Sequence, residues 1–214
     1  MDYFDVKAVS NSKIGEWKKM LRGEKNLHEN SSFKGAGLLF GTVFHAIIAG
    51  EDIQEKFDKL KPHERFEVMK MAKKIHKELG HIITKAVSKE QEYTWVQEFE
   101  GVGKVKCKAK TDLVYQDEMG LHCVDFKTTA ADSYEEFLGS VMTFDYHRQA
   151  AWYFLADKFQ TYTIIGVSKS KSHDIFILPP FTKEDLLIEV GLQECIEVMQ
   201  EVRKMNQYQE YFQF

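Results

Sequence analysis

Residues 104–129 read KVKCKAKTDLVYQDEMGLHCVDFKTT, and two features of this stretch decide the fold. Lys104, Lys106, Lys108, Lys110 and Asp112 share one parity while Val105, Cys107 and Ala109 share the other, the period-two pattern of a half-buried strand. The run DEMG at 117–120 then separates this strand from LHCVDFKTT, so the two form an antiparallel hairpin. A loop at Asp117–Gly120 makes Gln116 oppose Leu121 and, counting back, Asp112 oppose Asp125. Opposed residues on antiparallel strands lie about 5 Å apart and share a face. Two carboxylates so placed repel, and a cation or a proton must settle them.

Upstream, Gln91–Glu100 reads as another strand, and a loop at Gly101–Gly103 places Glu92 opposite Asp112, with Glu90 competing for the same role. Lys127 shares parity with Asp125 and projects from the same face. Three acids and an ammonium then meet across three strands. Carboxylate oxygens suit a hard divalent cation, and an ammonium beside them can orient a water or steady a phosphate oxygen. An isolated Asp-x-Lys is usually an ordinary surface ion pair; the convergence is what carries information. The lysine row has two readings: the polar face of a half-buried strand, or a basic track for DNA phosphates through Lys106, Lys108 and Lys110.

Outside this centre the chain alternates between helical and extended patterns. Ser10 or Ser12 caps a short helix through Leu21, and a glycine-containing lead at 35–41 opens a second helix over roughly 40–49. His63 to about Val87 is helical, with Phe66, Met69, Ile75, Leu79 and Ile82 on one side. After the strands come helices over roughly 132–139 and 145–159, strands at 161–168 and 174–178, and a last helix opened by Thr182 with Asp185 and running to about Met205. The order implies an α/β domain with a mixed sheet, and no linker or repeat divides residues 1–214.

Composition narrows the function classes. The three cysteines, Cys107, Cys123 and Cys195, form no CxxC pair, which argues against a disulfide framework, a structural zinc site or a four-cysteine iron–sulfur cluster. No run approaches the roughly 18 apolar residues of a membrane helix, and MDYFDVKAVS lacks a secretory pattern, so an intracellular, cytoplasmic protein is expected. The formal net charge of −4 excludes a globally basic nucleic-acid binder but not one basic face.

Two helical motifs complete the series. GTVFH at 41–45 sets Gly41 and His45 one turn apart, and QAAWY at 149–153 puts Gln149 and Tyr153 on one helical face. Taken in order, GxxxH, a Glu-bearing strand, a basic strand ending in Asp, DxKTT and QxxxY resemble the motif series of RecB-type nucleases in the PD-(D/E)xK superfamily. More narrowly, VSNSKIGEW, GTVFHAIIAG, CKAKTD and VDFKTT followed by FDYHRQAAWY resemble the RecE-like (exonuclease VIII) phage recombination nucleases, over roughly residues 8–160. Relatives with QxxxY in CRISPR adaptation and AddB-type proteins carry four cluster cysteines, which this chain lacks.

The resemblance implies a single restriction-endonuclease-like domain whose central mixed sheet is flanked by helices. It implies Mg²⁺ or Mn²⁺ held by His45, Asp112, Asp125 and the Phe126 carbonyl, with Glu92 placing a second ion or the attacking water. Lys127 would orient that water and stabilise the phosphate, while Gln149 and Tyr153 would contact the DNA strand or hold Lys127. The implied activity is degradation of linear duplex DNA from its ends, with a single-strand annealing protein as functional partner and a homo-oligomeric ring as assembly. Tyr208, Tyr211, Phe212 and Phe214 offer either a subunit contact for such a ring or a tail folded back on its own core. Three alternatives stand beside this reading: a structure-specific or single-strand nuclease with the same centre, a non-catalytic DNA-binding relative, and a metal-storing or structural helical protein.

Overall fold

In the computed structural model, which describes residues 3, 6–24, 32–156 and 158–212 but no side chains at 32–36, five strands form one sheet. They are β1 (Ala86–Phe99), β2 (Gly103–Asp117), β3 (Gly120–Thr129), β4 (Thr161–Ser168) and β5 (Ile175–Ile177), adjacent in that order. β3 and β4 run parallel and the other neighbours antiparallel, so the sheet is mixed. The parallel pair needs a crossover, and α5 (Tyr134–Thr143) and α6 (Tyr146–Phe154) lie in that connection.

Helices cover both faces. On one, α2 (Ser32–Ala49) and α4 (Pro62–Thr84) bury Val43, Phe44, Met71 and Ile75 against Leu113, Val124, Phe126 and Ile165. On the other, α1 (Asn11–Leu21), α5, α6 and α7 (Leu186–Arg203) pack Trp17, Phe137, Trp152 and Met199 against Val105, Cys107, Cys123 and Ile164. Each large side chain so buried contributes about 1.5–3 kcal/mol. A short α3 (Gln54–Asp58) and a closing 3₁₀ helix (Asn206–Tyr211) complete the order. No described helix is long and apolar enough to cross a membrane.

The β2–β3 hairpin has the expected register, with Gln116 opposite Leu121, but Asp117 also pairs with Gly120, so the loop shortens to Glu118–Met119. The β1–β2 hairpin does not keep its expected register. Phe99 pairs with Gly103, so the loop is Glu100–Val102 and the register moves by two residues. Gly101 (φ 71°) and Gly103 (φ 89°) both take left-handed backbone, which lets a three-residue closure form one residue earlier.

Several boundaries shift for local reasons. The Ser10 hydroxyl accepts the Lys13 N–H at 3.2 Å and caps α1 as expected. α2 starts well before residue 40 and carries its glycines within the helix. In α4, Ile75 and Leu79 are buried, but Val68, Met71 and Ala72 fill the inward face, and Phe66 and Met69 stand 61% and 47% exposed. The Thr182–Asp185 contact exists, with the Thr182 N–H donating to Asp185 Oδ2 at 2.6 Å, yet it closes a turn and α7 begins after it. The C-terminal aromatics fold back: Tyr208, Tyr211 and Phe212 surround Trp17 at centroid distances of 5.7, 5.3 and 6.0 Å. Phe214 lies outside the described residues.

Candidate metal centre

The centre forms where β2 changes phase. Val105, Cys107 and Ala109 face the α6 side, but Leu113 faces α2 and α4, so the alternation slips between Ala109 and Leu113. On β1 the slip coincides with Glu90, a non-glycine residue at φ 49°. The ladder pairs Lys89 with Leu113 and Gln91 with Thr111, and leaves Glu90 and Asp112 facing each other at the gap. Left-handed backbone costs a residue with a Cβ about 1–2 kcal/mol, and such strain concentrates at functional sites.

This register places Glu90, not Glu92, beside Asp112. Glu92 pairs with Lys110, two positions away, because the β1–β2 turn lies one residue earlier than expected. On the other side the Asp112–Asp125 pairing is not completed as a ladder rung: it stops at Leu113–Val124, and the Asp112 carboxylate takes the Phe126 N–H at 2.7 Å. Helix α2 supplies the third member. Phe40, Val43, Phe44 and Ile48 anchor it in the core, and His45 sits at the edge of that face with Nδ1 3.1 Å from Asp112 Oδ2. Gly41, one turn earlier, faces the end of β3, where a Cβ would lie 4.0 Å from the Thr128 hydroxyl, in ordinary contact.

His45, Glu90 and Asp112 each offer a ligand atom within 4.8 Å of the others. Among the described residues, the buried His45 Nδ1 has no partner in hydrogen-bond geometry despite its closeness to Asp112. An imidazole nitrogen and two carboxylates aimed at one point fit a divalent cation. A cleft of about 530 Å³ opens onto the three, with Lys110, Tyr153 and Ser12 also on its walls.

Asp125 lies deeper and outside that trio. Its side chain is 3% exposed, with Oδ2 2.5 Å from Lys127 Nζ and Oδ1 accepting from Gln149 Nε2 at 2.6 Å. Lys127 donates in turn to Gln149 Oε1 at 3.1 Å, and the Tyr146 ring lies 5.2 Å from the ammonium. Gln149 therefore holds both members of the pair. Tyr153, one turn on, does something different: its hydroxyl donates to the Lys110 carbonyl at 2.7 Å and ties α6 to β2.

The electrostatics separate the two aspartates. Burial pushes the Asp125 carboxyl above its usual range, and Asp112 adds to this against the pull of Lys127. Burial acts the same way on Asp112, but His45, Lys127 and the Phe126 N–H outweigh it and hold that carboxyl low. Burial would lower the His45 and Lys127 values, yet the aspartates raise both. Burial raises Glu90 despite its 2.9 Å contact with Lys110.

The lysine row is interrupted. Lys104 is exposed and Lys106 half-buried, whereas Lys108 is 8% exposed and donates to the Tyr3 and Val6 carbonyls at 2.8 and 2.9 Å. The cause is the segment before α1, where Val9 bridges Cys107 along the free edge of β2 and lays its chain over Lys108. Tyr146 had no signal in the sequence beyond lying three residues before Gln149 on one helix.

No family model and no curated protein matches the chain. Among solved structures, one from Eubacterium rectale, provisionally described as a exonuclease, superposes with a TM-score of 0.64 at 16% identity, over 95% of this chain and 82% of that one. The likeness is one of fold. A second structure, SSO0001, aligns at a TM-score of 0.42 and 11% identity over 78% of this chain and 74% of that one, too loosely to bear on the reading.

Proposed function

We propose that the chain is a metal-dependent nuclease cutting DNA phosphodiesters, and that it acts as an exodeoxyribonuclease on linear duplex ends. The observation that carries this reading is the gathering of His45, Glu90 and Asp112 donors within 4.8 Å, beside a buried Asp125–Lys127 pair. In this reading His45, Glu90 and Asp112 hold the ion, and Asp125, with the Phe126 carbonyl, flanks it. A bound divalent cation would supply Lewis-acid polarisation of the phosphate and a more acidic water. Lys127 is the group best placed to steady charge on a phosphate oxygen, and Gln149, which accepts from its ammonium and donates to Asp125, fixes the orientation of the pair. The register favours Glu90 over Glu92 as the site acid.

The choice of duplex ends, and a role in phage-type recombination beside a single-strand annealing protein, rest on the RecE-like motif series from GTVFH to QAAWY. End-labelled linear duplex, the same DNA as a closed circle, and single strands should be incubated with Mg²⁺, Mn²⁺ or EDTA. Metal-dependent nucleotide release from linear duplex alone is expected. Cutting of circles would redirect the reading to an endonuclease, and no metal-dependent cutting of any substrate would end it.

A further inference from the structure

Behind α6, on the side away from Gln149, a second set of donors meets where three helices cross. Asp145 precedes α6, His147 and Arg148 lie in its first turn, and Glu194 comes from α7. The helices approach closely because residue 191 is glycine: a Cβ there would fall 2.8 Å from both the Arg148 Cα and the His147 carbonyl oxygen. One turn beyond that contact, the Glu194 carboxylate reaches His147, with Oε1 3.5 Å from Nε2. Asp145, His147 and Glu194 offer ligand atoms all within 4.8 Å of one another.

Two observations point to a cation at this place. The Lys18 ammonium from α1 already sits between the acids, 2.9 Å from Asp145 Oδ1 and 2.9 Å from Glu194 Oε2. His147 is completely buried, yet among the described residues neither ring nitrogen has a hydrogen-bond partner, and the residue lines a cleft of about 510 Å³. An imidazole left unpaired beside two carboxylates is an unfavourable arrangement for a core histidine but a suitable one for a metal ligand. We propose that Asp145, His147 and Glu194 form a second metal site that takes a divalent transition ion of the Zn²⁺ class, exchanging with the Lys18 ammonium.

The chemistry sets the preference. Two oxygen donors and one imidazole nitrogen suit Zn²⁺ or Co²⁺ better than Mg²⁺ or Ca²⁺, which favour oxygen throughout. Donors bound tetrahedrally at about 2.1 Å are about 3.4 Å apart; His147 Nε2 and Glu194 Oε1, at 3.5 Å, already meet this, and Asp145 must close by up to about 1.4 Å. Lys18 can leave because its long stem borders the same cleft, with Lys19 and Arg22 beside it. Arg148 stays as counter-ion to Asp145, at 2.9 Å. Metal here would clamp the start of α6 to α7.

Zn²⁺ binding is measured by equilibrium dialysis, and Co²⁺ binding by visible absorption, on the full chain carrying His45→Ala and Asp112→Asn to silence the first cluster. One ion per chain is expected, with a Co²⁺ spectrum indicating nitrogen ligation that excess Mg²⁺ does not remove. Adding His147→Gln or Glu194→Gln should abolish binding, with circular dichroism establishing that each variant is folded. Adding Lys18→Ala should tighten binding by at least about tenfold, since the competing ammonium is gone. No bound ion in the background variant, binding indifferent to both ligand substitutions in folded protein, or unchanged affinity in Lys18→Ala would each overturn the proposal.

Discussion

Removing the ammonium of Lys127 tests whether the centre holds a buried, mutually dependent charge pair. Lys127→Met keeps the length of the side chain and leaves Asp125, 3% exposed, without the cation now 2.5 Å from it. Breaking a buried ion pair from one side typically costs about 3–5 kcal/mol, because the remaining charge is uncompensated. Gln149 still donates to Asp125 Oδ1, and the Lys127 side chain is 20% exposed, so the low end, about 3 kcal/mol, is expected. For a chain of this length about 2–4 °C of melting temperature accompanies each kcal/mol, giving a drop of about 6–12 °C. Adding Asp125→Asn removes the stranded charge and should return about 2 kcal/mol of the loss.

The pH dependence has a definite sign. Without Lys127, burial and Asp112 hold the folded-state value of Asp125 above that of the unfolded chain. The folded state then binds the proton more tightly, so the deficit is full above the folded value and shrinks as pH falls through it. Urea denaturation in EDTA, at about pH 7.5 and about pH 5, reads both effects. A double variant no more stable than Lys127→Met, or a single variant within about 0.5 kcal/mol of the parent, would refute the argument.

Other expectations follow from the same geometry. Glu90→Gln should lower metal-dependent cleavage by about 10²-fold or more while Glu92→Gln stays within a few-fold of the parent, and the reverse order in a kinetic comparison would make Glu92 the site acid. Gly166→Ala should destabilise by about 1–3 kcal/mol, because its Cβ would fall 2.5 Å from Cζ of the fully buried Phe137 ring, and a urea midpoint unchanged from the parent would contradict that packing. Lys106→Ala should reduce the salt dependence of duplex affinity, measured in Ca²⁺, more than Lys108→Ala does, since Lys108 is already engaged by two carbonyls; equal slopes would mean that the segment before α1 moves aside for DNA. Light scattering with and without duplex tests the ring: a monomer mass in both conditions would exclude it, and deletion after Met205 should lower stability through Trp17 rather than alter the mass.

The sequence by itself determined the β2–β3 hairpin and the identities of His45, Asp112, Asp125, Lys127 and Gln149 as the residues to watch. Those signals are local: alternation in KVKCKAKTD, a turn at 117–120 whose closure sets the register, and one helical turn between motif residues. Tertiary structure alone decided which glutamate joins them. The choice between Glu90 and Glu92 depends on two glycines adopting left-handed backbone at the β1–β2 turn, and on a phase slip at Glu90 that alternation cannot announce. It also decided the fate of Lys108 and of the C-terminal aromatics, since each is covered by a segment distant in sequence, the approach to α1 in one case and Trp17 in the other. The arrangement behind α6 was equally out of reach, because Glu194 meets His147 only where α7 closes on α6 at Gly191. Periodicity reports which way a side chain points from its own element. What it then meets is set by the packing of elements whose separation in sequence carries no such period.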